Sequence, residues 1–326
     1  MFEEVGLLGN ALILLASLAF LVVASELTIN NAVKVSSKTG FGKTSIGFIL
    51  VGFSTSLPEL SVSIFAVINP ANIGLSIGNV LGSNIVDIAL VLGVCLLLVA
   101  LKRPRFTYFY PAMAKEELGS LHFGLFVASI IPLALLYIGY ASRIIGVILL
   151  TIFMVYMLQL SRGKKTRDEA AIGAKGRLRT YASFVLIGAI AVVASAFFII
   201  ESASFIATSV GVPPVVIGAT IVAFGTSIPE LATSLSSVRK GHLDLALGNI
   251  VGSCFINITC ILGVALIASP LRINMTAFSN LALFSLIINM FLWYFLSSEK
   301  MSWREGTLLL VLYAVFLVVS FTGSSF

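Results

Sequence analysis

Polar positions divide the chain into long apolar runs joined by short polar breaks. Ten runs are long enough to cross a bilayer as helices, at approximately 7–29, 44–67, 75–100, 119–140, 143–161, 181–206, 214–238, 244–268, 277–297 and 305–322. Uninterrupted apolar runs of this length exclude a transmembrane β-barrel. The predicted fold is an all-α polytopic membrane protein. Two runs are interrupted alike: residues 47–59 read GFILVGFSTSLPE, and residues 218–230 read GATIVAFGTSIPE. Pro58 has no N–H, and its ring clashes with the carbonyl of residue 54. Pro229 does the same to the carbonyl of Gly225, so spans 2 and 7 are both predicted to break. Carbonyls freed inside a membrane need protein, water or an ion as partner.

These two stretches match at an offset of 171 residues. Gly78-Asn79-Val80-Leu81-Gly82-Ser83 matches Gly248-Asn249-Ile250-Val251-Gly252-Ser253 at an offset of 170. Spans 2 and 3 thus correspond to spans 7 and 8, and the repeat is five spans long. An odd number of spans reverses direction, so the repeats are inverted, 1–161 and 181–326, with a linker at 162–180. Inverted repeats with broken helices at matching places point to a secondary transporter with a midplane site.

Spans 3 and 8 carry polar stripes. Asn79, Ser83 and Asp87 follow at i, i+4 and i+8, as do Asn249, Ser253 and Asn257. The glycine pairs Gly78/Gly82 and Gly248/Gly252 permit close helix approach. They suggest span 3 against broken span 2 and span 8 against broken span 7, with four polar faces meeting in one cavity. Around the breaks stand Thr55, Ser56, Glu59, Thr226, Ser227 and Glu230. A lone carboxylate at bilayer depth costs at least ~3 kcal/mol. A lone Ser, Thr or Asn in a membrane helix commonly bonds its own backbone or a neighbouring helix; the duplicated constellation argues for a site. Its donors are all oxygen, which suits hard cations such as Ca2+ and Na+.

Composition agrees. The chain is 59% hydrophobic and 10% charged, less than half the charge usual for a soluble domain. The net charge of +6 lies in loops and signals orientation rather than nucleic-acid binding. With the N-terminus outside, eighteen of the twenty Lys and Arg fall in inner loops, seven of them from Arg162 to Arg179; Arg143 and Arg272 are the exceptions. Both termini are then outside and the linker is cytoplasmic. The acidic start, Met1-Phe2-Glu3-Glu4, lacks the basic region of a cleaved signal. Cys95, Cys254 and Cys260 lie in apolar sequence and read as packing residues.

The paired G-[ST]-S-x-P-E and G-N-x-x-G-S motifs resemble the α-repeats of the cation/calcium exchanger superfamily, most closely its prokaryotic, archaeal-type sodium/calcium exchangers. The resemblance implies exchange of Ca2+ for Na+ by alternating access. It implies ion binding by Thr55, Ser56, Glu59, Ser83 and Asp87 in one half, and by Thr226, Ser227, Glu230, Ser253 and Asn257 in the other. Backbone carbonyls at Gly52 and Ala223 are implied as well. Ser54 and Gly52 depart from the usual Gly and Ala, and the family's archaeal members carry the Asp and Asn of spans 3 and 8 the other way round. Glu26 and Glu201 read as helix-end or ion-pathway residues, and His122 and His242 as interfacial.

The expected partners are Ca2+ and Na+ as transported substrates and the lipid bilayer, with no resident cofactor, no nucleic acid and a monomeric state. Proton/calcium and potassium-dependent or Mg2+-handling exchangers of the same superfamily are the nearest alternatives. The proton-coupled branch carries an acidic residue where this chain has Gly82 and Gly252. A cation channel fits inverted repeats poorly. An enzyme finds no metal-binding histidine cluster and no nucleophile–base pair.

Overall fold

The computed structural model describes residues 2–39, 55–68, 72–102, 115–162, 178–239, 243–272, 275–298 and 301–322. Ten helical elements follow in chain order. They are α1 (Phe2–Thr39), α2 (Leu57–Ile68), α3 (73–102), α4 (Lys115–Ile138), α5 (Arg143–Arg162), α6 (Leu178–Val210), α7, α8 (243–268), α9 (Met275–Ser297) and α10 (Trp303–Thr322). Helix α7 is broken into α7a (214–226) and α7b (Ile228–Arg239). Seven elements are each long and apolar enough to cross a membrane, the bent α7 makes an eighth, and α2 and α5 are shorter apolar helices. The first part of span 2, residues 44–54, lies outside the described residues.

Every predicted span, span 2 in its described part, coincides with one element, but two run longer than predicted. Helix α6 has 33 residues and α1 has 38, with a break near its start at Gly6, where φ is 71°. At 1.5 Å per residue, α6 is about 50 Å long, well beyond a ~30 Å hydrocarbon core. The apolar part of α1 ends at Thr28 and the helix continues to Thr39. Hydrophobicity marks where a helix leaves lipid, and here it does not mark where the helix stops.

The packing repeats with roles exchanged. Helix α1 lies along α6 and α4 along α9, so equivalent elements meet each other. Helix α2 packs on α3 as α7b packs on α8, and α4 packs on α8 as α9 packs on α3. Helix α10 packs on the end of α3 as α5 does on the end of α8. Paired glycines enable both of the last contacts. A Cβ at Gly93 would lie 3.1 Å from the Gly306 carbonyl oxygen, and one at Gly263 would lie 3.1 Å from that of Gly146. This exchange of roles is the signature of a two-fold relation between inverted halves. Tyr140–Ala141 (β1) and Leu271–Arg272 (β2) pair antiparallel, Tyr140 opposite Arg272. That two-residue ribbon, unforeseen in an all-α reading, joins the α4–α5 and α8–α9 loops, which an alternating ten-span topology puts on one face.

One expectation is corrected. Helix α3 does touch α2, but its glycine face is pressed on α7a, in the other repeat. A Cβ at Gly78 would collide with the Val215 carbonyl oxygen, and one at Gly82 with the Cα and carbonyl of Ala219. From α7a, a Cβ at Gly218 would sit 3.0 Å from Leu75 Cα. Glycine spacing announces close approach and leaves the partner unnamed.

Candidate cation site

Both breaks fall two residues before the proline. In α7 the chain leaves helix at Ser227 (φ −83°, ψ 3°) and resumes at Ile228, bent by 43°. Ser56 is the matching turn between Thr55 and Leu57. The Leu60 and Leu231 N–H groups bond back to the Ser56 and Ser227 carbonyls at 3.0 and 3.1 Å. Each new helix carries its acid, Glu59 or Glu230, in the first turn, where the positive end of the helix dipole offsets a carboxylate. Asp87 and Asn257 both lie at the start of π-helical stretches, Val86–Leu92 in α3 and Asn257–Ile261 in α8. A π turn widens the helix and recurs at functional sites.

The four polar faces do converge. Thr55, Ser56, Glu59, Asn79, Ser83, Asp87, Thr226, Ser227, Glu230, Asn249, Ser253 and Asn257 are each at most 3% exposed. The threonines cross between repeats. The Thr226 hydroxyl lies 3.1 Å from Asn79 Oδ1 and 3.4 Å from Ser83 Oγ. The Thr55 hydroxyl lies 3.5 Å from Asn249 Oδ1 and 3.4 Å from Ser253 Oγ. Asn79 Nδ2 donates to the Glu59 carbonyl (3.4 Å), Asn249 Nδ2 to Ser234 Oγ (3.1 Å), and Ser253 to Glu230 Oε1 (3.4 Å).

What remains unbonded defines the chemistry. Both carboxylate oxygens of Glu59, both of Asp87, Glu230 Oε2, Ser56 Oγ, Ser227 Oγ and Asn257 Oδ1 are buried and receive no hydrogen bond. Buried polar atoms are normally paired, so such a concentration calls for an explanation. Stretches 57–101, 214–238 and 243–268 contain no Lys, Arg or His. Three formal negative charges thus face one another with no cationic side chain along those stretches; Lys102 and Arg239 stand only at the far ends of α3 and α7b. Among the described residues no three His, Cys, Asp or Glu side chains are gathered closely enough to hold a metal by themselves. A cation here therefore needs the hydroxyl and amide oxygens between the acids to complete its shell. The set fits a hard ion taking six to eight oxygens.

The remaining residues fall into place or outside. Gly52 and His242 lie outside the described residues. The Ala223 carbonyl accepts from Ser227 N (3.0 Å) and Thr226 Oγ1 (3.2 Å). Glu26 is exposed and Glu201 half-buried, and neither joins the constellation. His122 bonds Ser297 Oγ at 3.2 Å and packs against the Trp293 ring, tilted by 48°. Asn84, Cys254 and Ser234 adjoin the site unforeseen. Asn84 and Cys254 sit one residue past the i, i+4, i+8 stripes. The signal that would have found them is their matching place after Gly-Ser in both repeats.

Comparison with known proteins gives a consistent picture. The family model described as sodium/calcium exchanger protein matches residues 9–161 and 180–322. The chain is 32% identical over 303 residues to inner membrane protein YrbG of Escherichia coli (strain K12), covering 88% of this chain and 89% of that protein. It is 45% identical over 93 residues to the sodium/calcium exchanger MaX1 of Methanosarcina acetivorans, which is 28% of this chain and 26% of MaX1. Among solved structures, the sodium-calcium exchanger NCX_Mj superposes with a TM-score of 0.67 at 25% identity, over 96% of this chain and 99% of the other. The H+/Ca2+ exchanger CAX shares the fold, with a TM-score of 0.78 at 16% identity over 96% and 87%.

Proposed function

The chain belongs to the sodium/calcium exchanger family, and on that premise we propose that it is a secondary antiporter exchanging Ca2+ for Na+ at the site between α2, α3, α7 and α8. The observation that carries this is the group of eight buried, unbonded oxygens around Glu59, Asp87 and Glu230. Three Na+ neutralise a formal charge of −3, and one Ca2+ neutralises most of it. A loaded site is then far less costly to bury than an empty one, which ties inward and outward exposure to ion occupancy. Thr55, Ser56, Ser83, Thr226, Ser227, Ser253, Asn79, Asn249 and Asn257 supply neutral oxygens between the charges. The Gly52 and Ala223 carbonyls join them, that of Ala223 once its bonds to Ser227 and Thr226 open.

In this reading 1–161 and 181–326 are the inverted halves, joined by 162–180 on the cytoplasmic side, with both termini outside. The Lys and Arg asymmetry supports that orientation, and the β1–β2 pairing, which needs its two loops on one face, supports the alternating topology. One monomer contains the whole constellation, and the mechanism uses no resident cofactor.

The test is 45Ca uptake into proteoliposomes under imposed Na+, K+ and H+ gradients. Na+-loaded vesicles diluted into Na+-free medium are expected to accumulate 45Ca against its gradient. Uptake driven by a pH gradient and indifferent to Na+ overturns the sodium coupling. Flux that only runs downhill overturns antiport in favour of a channel.

A further inference from the structure

Asn84 and Cys254 hold equivalent places at the 170-residue offset, and they face each other. Asn84 Nδ2 donates to the Cys254 carbonyl at 3.4 Å, and Cys254 Sγ lies 3.9 Å from the Asn84 carbonyl. Both are at most 1% exposed. Residues that meet their own repeat equivalents lie on the pseudo-two-fold axis.

Hydrogen-bond polarity runs one way through this pair. A main-chain carbonyl only accepts, so Asn84 must turn Nδ2 toward Cys254. Its Oδ1 is left to accept, and Asn257 Nδ2 donates to it at 3.1 Å. With its nitrogen engaged, Asn257 is left with Oδ1, which is buried and receives no hydrogen bond. A flipped Asn257 amide would offer N–H donors where a cation needs an oxygen. On the reading of the cavity as a cation site, we infer that Asn84 is a positioning residue: the relay from the Cys254 carbonyl through Asn84 fixes Asn257 with its oxygen, not its nitrogen, toward the ion. Asp87, the equivalent of Asn257, has two oxygens and needs no such help. Its equivalent neighbour is Cys254, which has no amide to give.

A double-mutant cycle tests this, with Asn84→Ala, Asn257→Asp and their combination purified and reconstituted alongside the wild type. Two quantities are read: the half-maximal Ca2+ concentration for 45Ca flux, and for thermal stabilisation in detergent. Asn84→Ala is expected to raise both about tenfold, with the maximal flux changed less than about twofold. In the Asn257→Asp background, where either oxygen serves, the same substitution is expected to raise them less than about twofold. An equal loss in both backgrounds means that Asn84 only packs, and overturns the inference. If Asn84→Ala folds only together with Asn257→Asp, that rescue is the expected coupling; if neither folds, Asn84 is structural and the inference falls. A wild type stabilised by Ca2+ but lacking Na+-driven flux sinks the exchange reading alone, since the melting cycle still reports on the relay. A wild type that Ca2+ does not stabilise sinks both.

Discussion

The two halves of the site share a backbone and differ in charge. Broken α2 and α7 supply the same turn, the same Thr-Ser pair and the same first-turn glutamate; α3 and α8 supply the same Asn and Ser and a π turn at the same place. Among the α3 and α8 side chains beside the site, two positions differ: Asp87 stands opposite Asn257, and Asn84 opposite Cys254. The features that shape the cavity are thus duplicated, whereas the residues that set its charge and orient its amide are not. Near-symmetry suits a site that must open to either side. A third carboxylate on one half only gives a charge of −3, where full duplication of Asp87 would give −4.

The largest effect is expected where the halves agree. Glu59→Gln and Glu230→Gln each remove one buried charge and leave the others uncompensated by a bound cation, a loss of about 3–5 kcal/mol if it resembles a broken buried ion pair. Each is expected to lower Na+-driven 45Ca flux by about 100-fold or more, with the protein still monodisperse in detergent. Near-normal flux in either variant would remove that glutamate from the site and break the equivalence of the halves.

The next effect lies where they differ. Asp87→Asn is expected to cost about tenfold or more in Na+-coupled exchange, because a charge of −2 no longer balances three Na+. Adding Asn257→Asp restores the charge across the axis and should recover a substantial part. Adding Cys254→Asn as well supplies an amide beside position 87 and should bring the recovery further. Flux measured across this series at matched reconstitution decides it. A folded double variant no better than Asp87→Asn alone shows that the two positions are not interchangeable.

The smallest effect concerns the crossing threonines. Of the crossing bonds, Thr226 makes the shorter to the facing asparagine, 3.1 Å against 3.5 Å for Thr55, and both stand 3.4 Å from the facing serine. One hydrogen bond contributes about 1 kcal/mol, or about fivefold. Thr226→Val is expected to raise the half-maximal Na+ concentration by about that factor, and Thr55→Val by less. The reverse order, read from Na+ titrations of 45Ca flux, would show that the bond lengths do not report the load on each half.

Much of this was legible in the sequence. The offsets of 171 and 170 paired α2 with α7 and α3 with α8, and the prolines located both breaks to within two residues. The family is shown by the comparisons, and the twelve polar side chains named from the stripes and breaks are all buried in the structure, with Thr55 and Thr226 bonded across the repeats. The ends of α1 and α6 were illegible because helical hydrogen bonding outlasts the apolar run that betrays it. The partner of Gly78 and Gly82 was illegible because a small-residue face tells how near a neighbour comes, not which one. Asn84 was hidden because its role depends on a contact 170 residues away that begins at a main-chain carbonyl, a group every residue has.

The crossing threonines also bear on how the protein is made. Beside the bonds that Asn79, Asn249 and Ser253 make within their own halves, Asn79 and Ser83 meet Thr226, and Asn249 and Ser253 meet Thr55, in the other half. Neither half completes its own half of the site. Synthesis proceeds at about 5–20 residues per second, so the roughly 170 residues between equivalents take on the order of ten to thirty seconds. Through that interval the nascent chain holds Glu59 and Asp87 in the bilayer with the α3 glycine face uncovered and α7a not yet inserted. A polypeptide truncated after α5 keeps that exposed face permanently, which makes it a natural substrate for membrane quality control.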